Sequence, residues 1–82
     1  MKQFEIKARV GWIERENNSF DGNPRWSLCI FVDGHFRPNI AKTQANAPIG
    51  YQCCYDWENT EKTFLAHWTR SGNLVLDELV GE

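Results

Sequence analysis

The sequence predicts a mainly β domain, a small five-stranded barrel with one short helical segment after the third strand. Three observations predict it. Residues 4–12 alternate strictly, with Phe4, Ile6, Ala8, Val10 and Trp12 on one face and the charged Glu5, Lys7 and Arg9 on the other. A period of two with one polar face marks a half-buried strand. Residues 25–32 repeat the pattern, with Trp26, Leu28, Ile30 and Val32 opposite Arg25, Ser27, Cys29 and Phe31. Dense turn chemistry separates such runs: ENNSFDGNP at 16–24, Asp33-Gly34, and RSGN at 70–73.

The remaining elements follow in order. Asp33-Gly34 predicts a two-residue hairpin of type I′, which needs positive φ at both central positions. It returns the chain into a short third strand at residues 35–37, which Pro38 ends or confines to an edge because proline donates no hydrogen bond to a ladder. Residues 40–47 are expected to form one or two helical turns, stopped at or before Pro48. Residues 51–57 read equally as loop or strand, and DWENTE as a turn. A fourth strand is predicted at 62–69, where Phe64, Ala66 and Trp68 alternate with Thr63, Leu65 and His67. The last strand, at 74–80, breaks alternation (Leu74, Val75, Leu76, Leu79, Val80), which predicts a bulge near Asp77-Glu78. Three strands, a helical connection and two more strands is the order of an OB-like barrel, with an SH3-like barrel fitting nearly as well.

The 82 residues are expected to make a single domain, 1–82, whose core is thin for want of volume. Large side chains compensate: four Trp, five Phe and two Tyr, each able to bury about 150–250 Å². Trp12, Trp26, Phe64 and Trp68 lie on the apolar faces and are read as core. Three cysteines, two of them adjacent and with no apolar leader before them, predict free thiols in a reducing cytoplasm rather than a disulfide framework. No apolar run approaches the roughly 20 residues that cross a bilayer.

Catalytic constellations are not legible. His35 and His67 fall on different strands, His67 on a polar face where a solvated histidine is expected. Cys53-Cys54 is neither a redox nor a zinc-ribbon pair, although spacing alone leaves Cys29, Cys53 or Cys54, and His67 open as a metal set. The glycines are dispersed at turns and no phosphate-cradling loop precedes a helix. The expectation is a binding domain without catalytic site, cofactor or metal.

Charge divides along the chain. Residues 1–50 carry seven Lys or Arg against five Asp or Glu, and residues 51–82 two against six. If even-numbered side chains fill the barrel, Lys7, Arg9, Arg25 and Phe31 share its outer face, with Phe36 and Arg37 nearby and Arg15 and Phe20 in the adjoining polar loop. Cations that follow phosphates, interleaved with rings that stack on bases, are what a single-stranded nucleic acid requires. The bland alternatives are ordinary outer-face charges, Phe31 and Phe36 covered by residues 40–51, and Phe20 folded over the barrel end. Glu5, Glu14 and Glu16 share the region and blunt its attraction for phosphate.

Gly22-Asn23-Pro24-Arg25-Trp26-Ser27-Leu28, Ala47-Pro48-Ile49-Gly50-Tyr51 and Gly72-Asn73-Leu74 together resemble the turn motifs of filamentous-phage single-stranded DNA-binding proteins. The resemblance spans most of the chain in outline, through short motifs that mainly dictate turns. It implies a small OB-like phage or plasmid protein, active in the host cytoplasm and working as a homodimer. Arg15, Phe20, Arg25 and Trp26 would be the matching binding positions. The acidic pI and the acidic stretch between Tyr51 and Phe64 depart from that pattern. A competing expectation is a module that docks on a host protein complex, such as a defence inhibitor whose carboxylates imitate phosphates. Tyr55, Asp56, Trp57, Glu58 and Glu61 would then form the contact surface, with Tyr55 and Trp57 as exposed anchors.

Overall fold

The alternating run from Phe4 onward becomes the longest strand, β1 (Phe4–Arg15), in a computed structural model that describes residues 2–81. Four further strands follow: β2 (Trp26–Val32), β3 (Asn39–Thr43), β4 (Glu61–Trp68) and β5 (Leu74–Gly81). Between β3 and β4 lie a one-turn helix, α1 (Ile49–Gln52), and a 3₁₀ turn, η1 (Tyr55–Trp57). The strands close into a barrel in the order β1-β2-β3-β5-β4. All neighbours are antiparallel except β3 and β5, which run parallel. This is the OB-like arrangement, with its helix in the β3–β4 connection.

Closure is possible because β1 is shared. Its first half pairs with β4, from Phe4↔Ala66 to Arg9↔Glu61, and its second half with β2, from Ala8↔Val32 to Arg15↔Trp26. Between Val10 and Ile13 the register slips: three steps on β1 match two on β2, the signature of a bulge. The inward set therefore runs Ala8, Val10, Ile13, and not Trp12. Two more slips fall on β5. Asp77 is an extra residue between Leu76↔Ala66 and Glu78↔Leu65, which is the expected bulge, and Val80 is another between Leu79↔Phe64 and Gly81↔Thr63. The slip at Asp77 brings Leu74, Leu76 and Leu79 onto one face despite their broken spacing.

The core gathers Ala8, Val10, Leu28, Ile30, Phe64 and Leu76 from the strands, with Ile49, Cys53 and Trp57 from the connection. Those last three close one end of the barrel. At the other end Phe4, Ile6 and Val32 are only partly buried, and that end is an open mouth.

Four expectations are corrected. The third strand lies after Pro38, not before it, because residues 33–38 are wholly loop. His35 N–H donates to the Val32 carbonyl, and only Gly34 of the turn has positive φ, a type II rather than a type I′ pattern. The helix likewise follows Pro48. Proline cannot end a helix that has not begun, but it suits the first turn, where its missing N–H has no partner to lose. Residues 40–43, read as helix, are strand, and residues 51–57 are helix end and 3₁₀ turn.

Trp12 and Trp68, read as core, are 48% and 49% exposed, while Trp57, read as a surface anchor, is 8% exposed. The β1 bulge turns Trp12 out. Trp68 has the inward parity but stands last on β4, at the rim of the open mouth. Trp57 packs on Phe64, ring centres 5.9 Å apart, with the Lys62 ammonium 5.9 Å above it.

Two outcomes follow. Trp57→Ala should lower the unfolding free energy in urea by about 3–5 kcal/mol, the usual cost of emptying an aromatic from a core, whereas Trp12→Ala should change it by less than about 1 kcal/mol. The Cys53 thiol provides the second. Burial, followed by the neighbouring Cys54, pushes it up from 9.0 to about 12. Below pH 9 it is protonated in folded and unfolded chains alike. Between pH 9 and 12 only the unfolded chain ionises, so stability falls as pH rises. Urea midpoints across that window should decline less steeply for Cys53→Ala than for the parent.

Candidate nucleic-acid interface

The bulge in β1 organises the outer face. Val10 N–H donates to the Thr60 carbonyl, Asn59 N–H donates to the Val10 carbonyl, and Ile13 N–H donates to Glu58 Oε2 at 2.8 Å. The turn after η1 thus carries the β1–β4 ladder one step past Arg9↔Glu61 and then gives Ile13, beyond the end of β4, a carboxylate acceptor. Gly11 is required there: a Cβ would meet Phe31 Cε2 at 2.8 Å and the Cys29 carbonyl oxygen at 3.0 Å. Glycine lets the Phe31 ring lie against the β1 backbone, and the bulge sets Trp12 beside it.

Arg9 and Phe31 are direct cross-strand partners, and the Arg9 guanidinium sits 4.4 Å from the Phe31 ring centre. Arg9, Gly11, Trp12 and Phe31 line one shallow groove, bounded by Glu58 and Asn59. Lys7 extends the face along β1, its ammonium 3.4 Å from Glu61 with both groups half exposed. From β3, exposed Ile40 and Lys42 stand across from Cys29 and Ser27. Trp12, Ile40 and Lys42 were missed by sequence reasoning. The glycine inside a strand pattern was the signal for Trp12; Ile40 and Lys42 were lost to the misplaced third strand.

The other expected residues separate into two groups. Arg15 follows the bulge and so turns to the barrel rim, its guanidinium 5.3 Å from the Trp26 ring. It donates to the carbonyls of Glu16 and Arg25 and to Asn18 Oδ1, while Arg25 Nε donates to the Asn17 carbonyl. These two arginines brace the loop between β1 and β2. With Ser19 Oγ and the Ser19–Asn23 backbone bond closing its tip, the loop presents Phe20 fully to solvent. Phe36, also fully exposed, and Arg37 belong to the β2–β3 loop at the open mouth. Phe36 is therefore not covered by residues 40–51, Phe20 is not folded over the barrel end, and Phe31 is part-buried with its ring against Gly11.

The acidic surface is dismantled in part. Trp57 is core, Glu58 holds the bulge and Glu61 faces Lys7. Tyr55, set edge-on to Trp26 at 5.4 Å, and Asp56 remain exposed. His67 is not solvated: it is 8% exposed, and its Nδ1 lies 2.7 Å from Asp77 Oδ2, which also accepts a hydrogen bond from Gln3 Nε2. The β5 bulge puts Asp77 and Glu78 on the outer wall in succession, and the first meets His67. All three cysteines are free, and burial raises the Cys29 thiol against the lowering effect of Arg9. Among the described residues no three His, Cys, Asp or Glu side chains converge as a metal site, and no helix is long and apolar enough to cross a membrane.

Removing the Glu58 carboxylate tests the pinning of the bulge. Glu58→Ala should cost about 1–3 kcal/mol, since it leaves a half-buried N–H without its charged acceptor. Glu58→Gln keeps an acceptor and should recover most of the loss in the same urea titration.

No family model, curated protein or solved structure matches this chain.

Proposed function

We propose that the barrel is a non-catalytic binding domain that holds single-stranded nucleic acid on the outer face of β1–β3. The observation that carries this reading is the Arg9 guanidinium stacked on Phe31 with half-exposed Trp12 in the same groove. Rings and guanidinium planes are the surfaces on which unpaired bases stack, each stacked base contributing about 1–3 kcal/mol. Lys7, Arg9 and Lys42 meet the phosphates. The braced loop extends the surface with Phe20, and OB-like barrels characteristically use this face and its flanking loops. Turn motifs like those of filamentous-phage single-stranded DNA-binding proteins agree with the reading, and three free thiols suit a reducing cytoplasm. A host-protein docking role has less support, since only Tyr55 and Asp56 of its five residues are both exposed and without a structural task.

Fluorescence anisotropy with labelled oligonucleotides at several salt concentrations tests the proposal. With about three phosphates engaged, log K should fall against log salt with a slope of roughly −2. Trp12→Ala should weaken binding about 5-fold or more, and Arg9→Glu should weaken it and flatten the slope. Asp56→Lys should not weaken it. No binding at low salt, or equal binding by all three variants, rejects the assignment.

A further inference from the structure

The open mouth of the barrel holds a cavity of about 350 Å³. Its walls are apolar: Phe4, Ile6, Val32, Leu74 and the exposed ring of Trp68. Asp33, His35 and Asn39 supply polar groups around it, and Glu5 and Lys7 line it as well. A mainly apolar concavity with a few polar groups is the usual form of a small-ligand site, and such sites run to roughly 300–1,000 Å³. This volume is at the lower end, enough for one planar ring system with polar edges. The surrounding loop adds the fully exposed Phe36 and the Arg37 side chain, in a depression that shares His35 and Asn39 with the cavity.

We infer that this cavity is a subsite for a single unstacked base of the bound strand. The inference rests on the proposed nucleic-acid function and extends it beyond the outer face. Lys7 is the link. It lies two residues from Arg9 on the same side of β1, about 7 Å along the strand, close to the separation of successive phosphates in an extended single strand. A strand that places one phosphate at Arg9 places the next at Lys7, whose side chain borders the mouth. The base carried there finds Trp68 to stack on and the amide of Asn39, the imidazole of His35 and the carboxylate of Asp33 for its hydrogen-bonding edge. This assigns a task to Trp68, Phe36 and Arg37, which the groove at Arg9 does not engage.

The four tryptophans provide the test, because their indole N–H resonances report separate places: Trp12 the groove, Trp68 the mouth, Trp26 and Trp57 the closed end. Hexathymidylate titrated into the ¹⁵N-labelled protein should shift Trp12 and Trp68 together and leave Trp57 in place. A six-unit abasic chain, with phosphates but no bases, should leave Trp68 unmoved. Trp68→Ala should weaken hexathymidylate about 5-fold or more without changing affinity for the abasic chain. A shift at Trp12 alone overturns the base subsite and leaves the proposed function standing. A Trp68 shift of equal size with the abasic chain also overturns the subsite. No shift at either ring overturns both.

Discussion

The slip between Val10 and Ile13 is the constraint on which the rest of the barrel depends. A single straight strand cannot pair with β4 along its first half and β2 along its second while staying flush with both. The extra residue bends β1, adds twist, and lets it serve two neighbours. Past the end of β4 the turn after η1 takes over, Asn59 and Thr60 extending the ladder at Val10 and Glu58 accepting the Ile13 N–H where the slip ends. The connection between β3 and β4 therefore does two things. It closes one barrel end with Ile49, Cys53 and Trp57, and it holds open the slip that makes closure possible. The same slip puts Trp12 outside and sends Arg15 to the rim, so the character of the outer face follows from the closure of the fold.

Much of the charge on this small domain serves structure before it serves any ligand. Arg15 and Arg25 are engaged by loop carbonyls, Glu16 accepts the Ser27 hydroxyl, Glu58 accepts a strand N–H, and Asp77 holds His67. The physical reason is size. An 82-residue chain has too little apolar area to order long loops by burial alone, so hydrogen bonds to charged groups, individually stronger than neutral ones, order them instead. A charged residue in such a domain cannot be assigned to a partner from its exposure, and its own hydrogen bonds must be counted first.

This explains what the sequence made legible and what it hid. The β1 and β2 faces, the number of strands and the bulge at Asp77 were readable because period-two alternation and its interruptions are local properties. The third strand and the helix were each placed on the wrong side of a proline. Pro38 and Pro48 announce a boundary, but a proline before an element and one after it look alike, and four residues such as Ile40 to Thr43 are too few for period to choose between helix and strand. The outward turn of Trp12 hung on Gly11, where one inserted residue reverses the later side chains of the strand, and the burial of Trp57 on a 3₁₀ turn that carries it into the barrel end. The pairing of His67 with Asp77 follows from the slip within the β4–β5 hairpin, and the brace formed by Arg15 from hydrogen bonds within its own loop, neither of which side-chain periodicity encodes. Lys7, Arg9 and Phe31 fell together as expected because they precede the slip.

The acidic balance of the chain bears less on a polyanion than its total suggests. At physiological ionic strength charges interact over about 8 Å, so a strand lying on β1–β3 responds to the groups beside it. Those are Lys7, Arg9 and Lys42, opposed by Glu58 and Glu61 at the groove edge, by Glu14 and Glu16 near Lys42 and by Glu5 near Lys7, and the sum carries no net attraction for phosphate. Glu58 cannot be relinquished, because the bulge requires it, and Glu61 stands opposite Arg9 in the β1–β4 ladder. The fold thus places carboxylates next to the very cations that a phosphate would approach. A surface built this way holds a strand by its bases more than by its backbone, which is why the rings of Phe31, Trp12 and Trp68 matter more to the proposed function than the count of arginines and lysines.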